Sequence, residues 1–164
     1  VTKLKLKRIK VLYVGGYHTE AGLIVRQMRD QGLTTVAMGA DGITSDEYAV
    51  IGGPGTEGTL MTFPPDPQKR PEAAAVLKKF EARKFKPEAY TLYSYAAVQS
   101  YTEGAKRANS VDPKNTAAAQ HGNQPVHSVI GKIGFDKKGD ITRPDYTVYT
   151  WKKGADGKIG YVEN

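Results

Sequence analysis

At 164 residues, 39% hydrophobic and 25% charged, the chain has the length of one ordinary domain or parts of two and the composition of a folded protein. It contains no cysteine, which excludes disulfides, thiolate nucleophiles and cysteine-ligated zinc, and no apolar run approaches the roughly 18 residues of a membrane-spanning helix. The net charge of +7 is spread along the chain, only residues 3–10 being dense; with no RNP-like motif, zinc-finger spacing or helix-turn-helix beside it, no nucleic-acid partner is expected.

The chain opens at Val1 with no signal-peptide pattern ahead of its first element. Residues 1–10, VTKLKLKRIK, fit period 2 as well as a helix through Val1, Leu4 and Ile9. VLYVGG (11–16) is β-branched and aromatic and stops on a glycine pair, the pattern of a buried strand. A helix follows over TEAGLIVRQMRDQGL, with Ala21, Val25 and Met28 on one stripe, Thr19 as candidate N-cap and Gly32 as the residue past its end. TTVAMGA predicts a second strand, SDEYAVIGG a short helix ending in glycine, and EGTLMTFPP a third strand stopped by Pro64 and Pro65.

Strand, helix, strand, helix, strand is the order of an α/β domain with a parallel sheet. Such sheets bind ligands outside the carboxyl ends of their strands. Gly15-Gly16-Tyr17-His18 and Gly39-Ala40-Asp41-Gly42 are those ends.

Beyond the proline-rich residues 64–71 the pattern changes. EAAAVLKKFEARKF is amphipathic through Ala75, Leu77, Phe80 and Phe85; EAYTLYSYAAVQSYTEGAKRAN is a longer helix rich in tyrosine and small residues. A third helical stretch, around DPKNTAAAQHG, has Asp112 as cap and Pro113 in first position. The chain ends in β-structure: SVIGKIGFD, a turn at KKGD, and a hairpin over DYTVYTWKKGADGKIGYVE turning at Asp156-Gly157. Composition puts boundaries at 64–71 and 136–145.

Chemistry-bearing motifs are scarce. Gly15-Gly16 lacks the G-x-G-x-x-G spacing of a dinucleotide site, and GGPGTEG (52–58) lacks the Lys-Ser/Thr of a P-loop. His18, His121 and His127 stand apart, none with a partner at ligand spacing, and no nucleophile elbow is present. No catalysis, metal or cofactor is expected. Asp41 before Gly42 is open to two readings, turn chemistry or a carboxylate aimed at a cation in a cleft. By pattern alone Tyr90 belongs to helix packing.

In their order along the chain, VLYVGGYHTEAGLIVRQMRDQGL, GADGI, EGTLMTF, PEAYTLYSYAAVQS, IGKIGFDKKGD and YTVYTWKKG resemble the substrate-binding proteins of branched-chain amino-acid ABC transporters, the Leu/Ile/Val-binding type of periplasmic binding protein. The resemblance covers essentially the whole chain but only the C-terminal half of the family's usual length. It implies parallel-sheet Rossmann-like lobes of a type I periplasmic binding protein, in part: 1–60 with 145–164 in the second lobe, 64–140 in the first, with crossings near 58–66 and 136–146.

The resemblance further implies a periplasmic location, an ABC permease as partner and a small amino-acid-like ligand trapped between the lobes. Tyr17 matches an aromatic, and Asp41 an acid that is commonly glutamate, facing the ligand from the second lobe; Tyr90 matches an aromatic lining the cleft from the first. The family's N-terminal half, with its export signal and the Ser/Thr loops that hold the ligand carboxylate, is missing from this sequence, and 164 residues without it are expected to fold poorly alone. A regulatory or sensory ligand-binding module on the same fold is the alternative function.

Overall fold

Glycine and proline punctuation delimits the strands of the computed structural model, which describes residues 1–121 and 124–164. By internal contacts the chain forms two compact units, Val1–Pro65 with Tyr146–Asn164, and Asp66–Asp145.

In the first unit the ambiguous opening is a helix, α1 (Thr2–Leu6), with no buried residue. β1 (Val11–Val14) ends at the glycine pair, and α2 (His18–Asp30) starts two residues later. Thr19 is not its N-cap: Tyr17 holds that place in extended backbone and no side chain caps the helix. At the other end Gly32 has φ of +72°. Its amide donates to Arg29 O at 2.9 Å and that of Leu33 to Met28 O at 2.9 Å, so a left-handed residue closes the last turn at little steric cost.

β2 (Val36–Gly39), α3 (Glu47–Gly52) and β3 (Leu60–Phe63) follow. β1 pairs with β2, and β2 with β3, in parallel. The sheet is nevertheless mixed. Of the later strands, β6 (Thr147–Lys153) lies antiparallel beside β3 and β7 (Ile159–Glu163) antiparallel beside β6, in the order β1-β2-β3-β6-β7. The β6–β7 turn carries φ of +79° at Gly157.

One face of this sheet holds the core. Ala37, Met61, Phe63, Tyr149 and Trp151 are buried there, with Ala21, Val25 and Met28 of α2 and Tyr48 of α3 also buried. The Tyr48 hydroxyl hydrogen-bonds Thr59 Oγ1 at 2.8 Å in the interior. Burial raises the Tyr48 pKa above its ordinary 10.0, against the opposing effects of the Thr59 hydrogen bond and the Arg29 charge. A phenol held neutral in the fold contributes stability that is complete below the unfolded pKa and is lost as pH rises through the folded one. Denaturation followed at pH values on either side of 10.0 is therefore expected to show a loss of stability that Tyr48→Phe reduces. In the neutral range the same variant should cost about 1–2 kcal/mol, because it strands Thr59.

In the second unit, α4 (Ala74–Ala82) follows short 3-10 turns at Pro67–Lys69 and Pro71–Ala73. Its inward residues are Val76 with Leu77 and Phe80, beside Ala73. Ala75 is exposed and Phe85 half-exposed, so of the expected stripe Leu77 and Phe80 face inward and Val76 joins them. α5 (Thr91–Ala108) begins after Tyr90 and ends at Asn109, φ +46°. α6 (Pro113–Gln120) is capped by Asp112, whose Oδ1 accepts from the amides of Lys114 at 3.0 Å and Asn115 at 3.1 Å. Gly122, at the end of the predicted third helical stretch, lies outside the described residues.

SVIGKIGFD holds the last residue of one short strand and the whole of the next. β4 (Val126–Ser128) and β5 (Gly131–Ile133) form an antiparallel pair. Between them Ser128 Oγ donates to Gly131 O at 2.9 Å and accepts from the Ile130 amide at 3.2 Å. Val126, Val129 and Ile133 pack with Leu92 and Ala96 of α5 in this unit's core.

Candidate functional site

β1 and β2 are neighbouring parallel strands, so the loops leaving their carboxyl ends must meet. Gly15 and Gly16 carry the chain to Tyr17, and Ala40 leads into a 3-10 turn over Asp41–Ile43. The Asp41 carbonyl anchors that turn, accepting from the Thr44 amide at 3.2 Å and the Thr44 hydroxyl at 2.9 Å. Buried Ile43 plugs the loop into the core beside Gly39.

Gly42 is where the two loops touch. A Cβ added to it would stand 2.5 Å from Gly16 O and 3.5 Å from Tyr17 Cδ1. The glycine is therefore required for this close approach, and the sequence carried no sign of it. Tyr17 is 72% exposed and Asp41 is exposed, so each of the two loops carries one exposed side chain, an aromatic ring and a carboxylate, beyond the carboxyl end of its strand.

Gly42→Ala drives its methyl into backbone rather than into a flexible side chain. It should cost about 1–3 kcal/mol, whereas Gly160→Ala, with nothing within 4 Å of the added atom, should be near neutral. Urea denaturation of the two variants checks the difference.

His18, expected as a rim residue, has a specific partner. Its Nε2 lies 2.9 Å from Glu47 Oε2, linking the start of α2 to the start of α3 behind the Tyr17 and Asp41 loops. Twenty-nine positions separate the two residues, beyond the reach of any local pattern. Tyr90 lies in the other unit, as the residue before α5. Among the described residues no group of three or more His, Cys, Asp or Glu side chains could hold a metal ion.

An α/β sheet with paired loops outside its carboxyl ends is a ligand-binding architecture. Over residues 1–158 the sequence matches the periplasmic binding protein family, and the chain belongs to that family. It is 52% identical over 163 residues to the Leu/Ile/Val-binding protein homolog 1 of Brucella suis biovar 1 (strain 1330), a match covering 99% of this chain and 44% of that protein.

A leucine binding protein from Thermotoga maritima superposes with a TM-score of 0.80 at 26% identity, over 98% of this chain and 47% of that one. A type 1 periplasmic binding protein from Bordetella pertussis gives 0.81 at 20% identity, over 99% and 48%. The fold is that of part of a type I periplasmic binding protein. The chain spans less than half the length of these relatives.

Proposed function

We propose that the chain is the C-terminal portion of a solute-binding protein that captures an amino acid with a branched apolar side chain, or a close analogue, and passes it unchanged to an ABC permease from the periplasm. The observation that carries this reading is the close approach, through Gly42, of the loops that bear Tyr17 and Asp41 at the ends of adjacent parallel strands. A zwitterionic ligand needs an anion for its ammonium group, and Asp41 supplies one. The Tyr17 ring offers an apolar surface beside it. The name of the Brucella suis relative supports leucine, isoleucine and valine as the first ligands to test.

The ligand carboxylate calls for donors from the family's remaining length. Tyr90, in the other unit, enters through the family pattern as a further aromatic contact. The two units would be portions of the second lobe (1–60 with 145–164) and the first (64–140). Capture and release need complementarity only, so no turnover is expected.

The test is calorimetry on a full-length chimera in which the N-terminal portion of the Brucella suis relative precedes this chain. Heat of binding with leucine, isoleucine or valine, and unaltered ligand recovered afterwards, is the expected result. Absence of heat with every member of an amino-acid panel would defeat the reading.

A further inference from the structure

Positive charge is scattered along the sequence, but the fold of the first unit gathers it. Lys3, Lys5, Lys7, Arg8 and Lys10 are exposed on α1 and on the segment that leads into β1. Lys152, Lys153 and Lys158 are exposed where β6 ends and β7 begins. Sheet register brings the two groups to one end. Val11 starts β1 beside Val36, whose amide donates to Lys10 O at 2.9 Å. β6 runs the other way: Trp151 O accepts from the Gly58 amide at 2.8 Å, so Lys152 and Lys153 lie past the start of β3. In the order β1-β2-β3-β6 the two groups are about 14 Å apart at ordinary strand spacing.

α1 is fastened to this end. Lys5 Nζ donates to Gln31 O at 3.0 Å, just past α2, and Thr35 Oγ1 donates to Ile9 O at 2.7 Å. The side chains of Lys3, Lys7, Arg8 and Lys10, and of Lys152, Lys153 and Lys158, form no ion pair among the described residues. The acids of this end are Asp30, Glu57 and Asp156. Glu20, Asp41, Asp46, Glu47 and Glu163 stand at the other end, where the Tyr17 and Asp41 loops leave β1 and β2. The unit is a charge dipole whose basic pole lies opposite those loops.

The chemistry of the pole selects its partner. All of its cations but Arg8 are lysines, compact charges on flexible stems that suit a diffuse anionic surface better than the bidentate capture of a single phosphate or carboxylate. Leu6 is 79% exposed between Lys5 and Lys7, an apolar side chain that a headgroup layer accepts. Neither 1–10 nor 152–160 contains an aromatic residue to stack on a base.

We propose that this basic pole holds the protein against an anionic phospholipid surface, with the Tyr17 and Asp41 loops facing away from it. Clusters of about four to eight lysines and arginines bind such surfaces, and the same field repels the acidic end, which fixes the orientation. The ligand loops then stay open to solution while the protein is kept at the membrane. The proposal rests on the preceding reading for the nearness of a membrane and not for the ligand.

Cosedimentation of the full-length chimera with phosphatidylglycerol–phosphatidylcholine vesicles, and with vesicles of phosphatidylcholine alone, tests it. Lys3→Gln, Lys7→Gln and Lys10→Gln are combined in one variant, and Lys152→Gln, Lys153→Gln and Lys158→Gln in a second. Lys78→Gln, Lys79→Gln and Lys86→Gln, at exposed positions of the other unit, remove the same charge in a control. The parent should bind the anionic vesicles alone. Raising salt from about 0.1 M to about 1 M, which shortens the screening length from about 10 Å to about 3 Å, should release it. Each pole variant should bind at least about tenfold more weakly, since one lysine near an anionic surface contributes about fivefold. The control should stay within about twofold of the parent, and arginine in place of the same pole lysines should keep the binding, which separates lost charge from lost fold.

A parent that ignores the anionic vesicles, or binds the neutral ones equally, would overturn the proposal. So would an equal loss in all three variants, which signals net charge alone, or pole variants that bind like the parent. Tighter binding to a DNA duplex than to the vesicles, lost in the same variants, would make the partner a nucleic acid and overturn it as well. Calorimetry with leucine on the same samples separates the two readings: vesicle binding without leucine binding keeps the pole and defeats the site, and leucine binding without vesicle binding does the reverse.

Discussion

Trp151→Ala is expected to destabilise the first unit by about 3–5 kcal/mol, the range for removing a large aromatic from a packed core. Trp151 is completely buried. Its ring meets Tyr48 at 5.0 Å between centroids and Tyr161 at 5.2 Å, both at inclined angles, the geometry aromatic pairs favour. Its backbone also joins β6 to the segment entering β3, donating to Thr59 O at 2.9 Å and accepting from the Gly58 amide at 2.8 Å. Alanine keeps those backbone bonds and empties the space between α3, β6 and β7.

Trp151→Phe is the informative companion. Trp151 Nε1 is buried with no hydrogen-bond partner among the described residues, a penalty of about 1–3 kcal/mol that phenylalanine removes while giving up part of the ring. The phenylalanine variant should therefore fall much nearer the parent than the alanine variant. Since Trp151 is the sole tryptophan, its fluorescence follows unfolding of the parent's first unit, and far-UV circular dichroism in urea ranks the two variants.

The elements with strong local signals were legible in the sequence. β1, β2 and β3 are short, mostly apolar runs bounded by glycine or proline, and α6 begins at an Asp-Pro pair whose capping chemistry is visible in two letters. What was hidden depends on partners distant in the chain. SVIGKIGFD reads as β-structure, but the pairing of β5 with β4, which begins before it at Val126, appears only in the fold, where Val126 and Ile133 pack in one cluster with Leu92 and Ala96 of α5. The antiparallel entry of β6 beside β3 joins residues nearly ninety positions apart, which periodicity does not record. Thr19 yields the N-cap position to Tyr17, so α2 starts earlier than capping preference suggests. At the candidate site, Tyr17 and Asp41 could be placed at strand ends from alternation alone. The close approach of Gly42 to Gly16 and the His18–Glu47 link are tertiary, and no spacing encodes them.

Asp41→Ala in the full-length chimera is expected to weaken leucine binding by about 2–5 kcal/mol, or roughly 30-fold to several thousand-fold. Closure around the ligand would withdraw its ammonium from water, and a buried cation deprived of its anion is penalised more heavily than a neutral group deprived of a neighbour. Tyr17→Ala truncates an aromatic surface instead and should cost about 1–3 kcal/mol. Asp41→Glu keeps the charge with one added methylene, as the family commonly has it, and should retain most of the affinity.

The assignment to the ammonium is tested by crossing the protein change with a ligand change. Leucine is compared with its deaminated analogue, 4-methylpentanoic acid, in the parent and in Asp41→Ala. If the carboxylate serves the ammonium, the variant loses affinity for leucine alone, and its preference for leucine over the analogue collapses. An equal loss for both ligands would mean that Asp41 acts by holding the loop rather than by touching the ligand. The Thr44 hydrogen bonds to its carbonyl do not depend on its side chain, so the turn has reason to survive the substitution. Calorimetric titration of the four combinations yields the coupling directly.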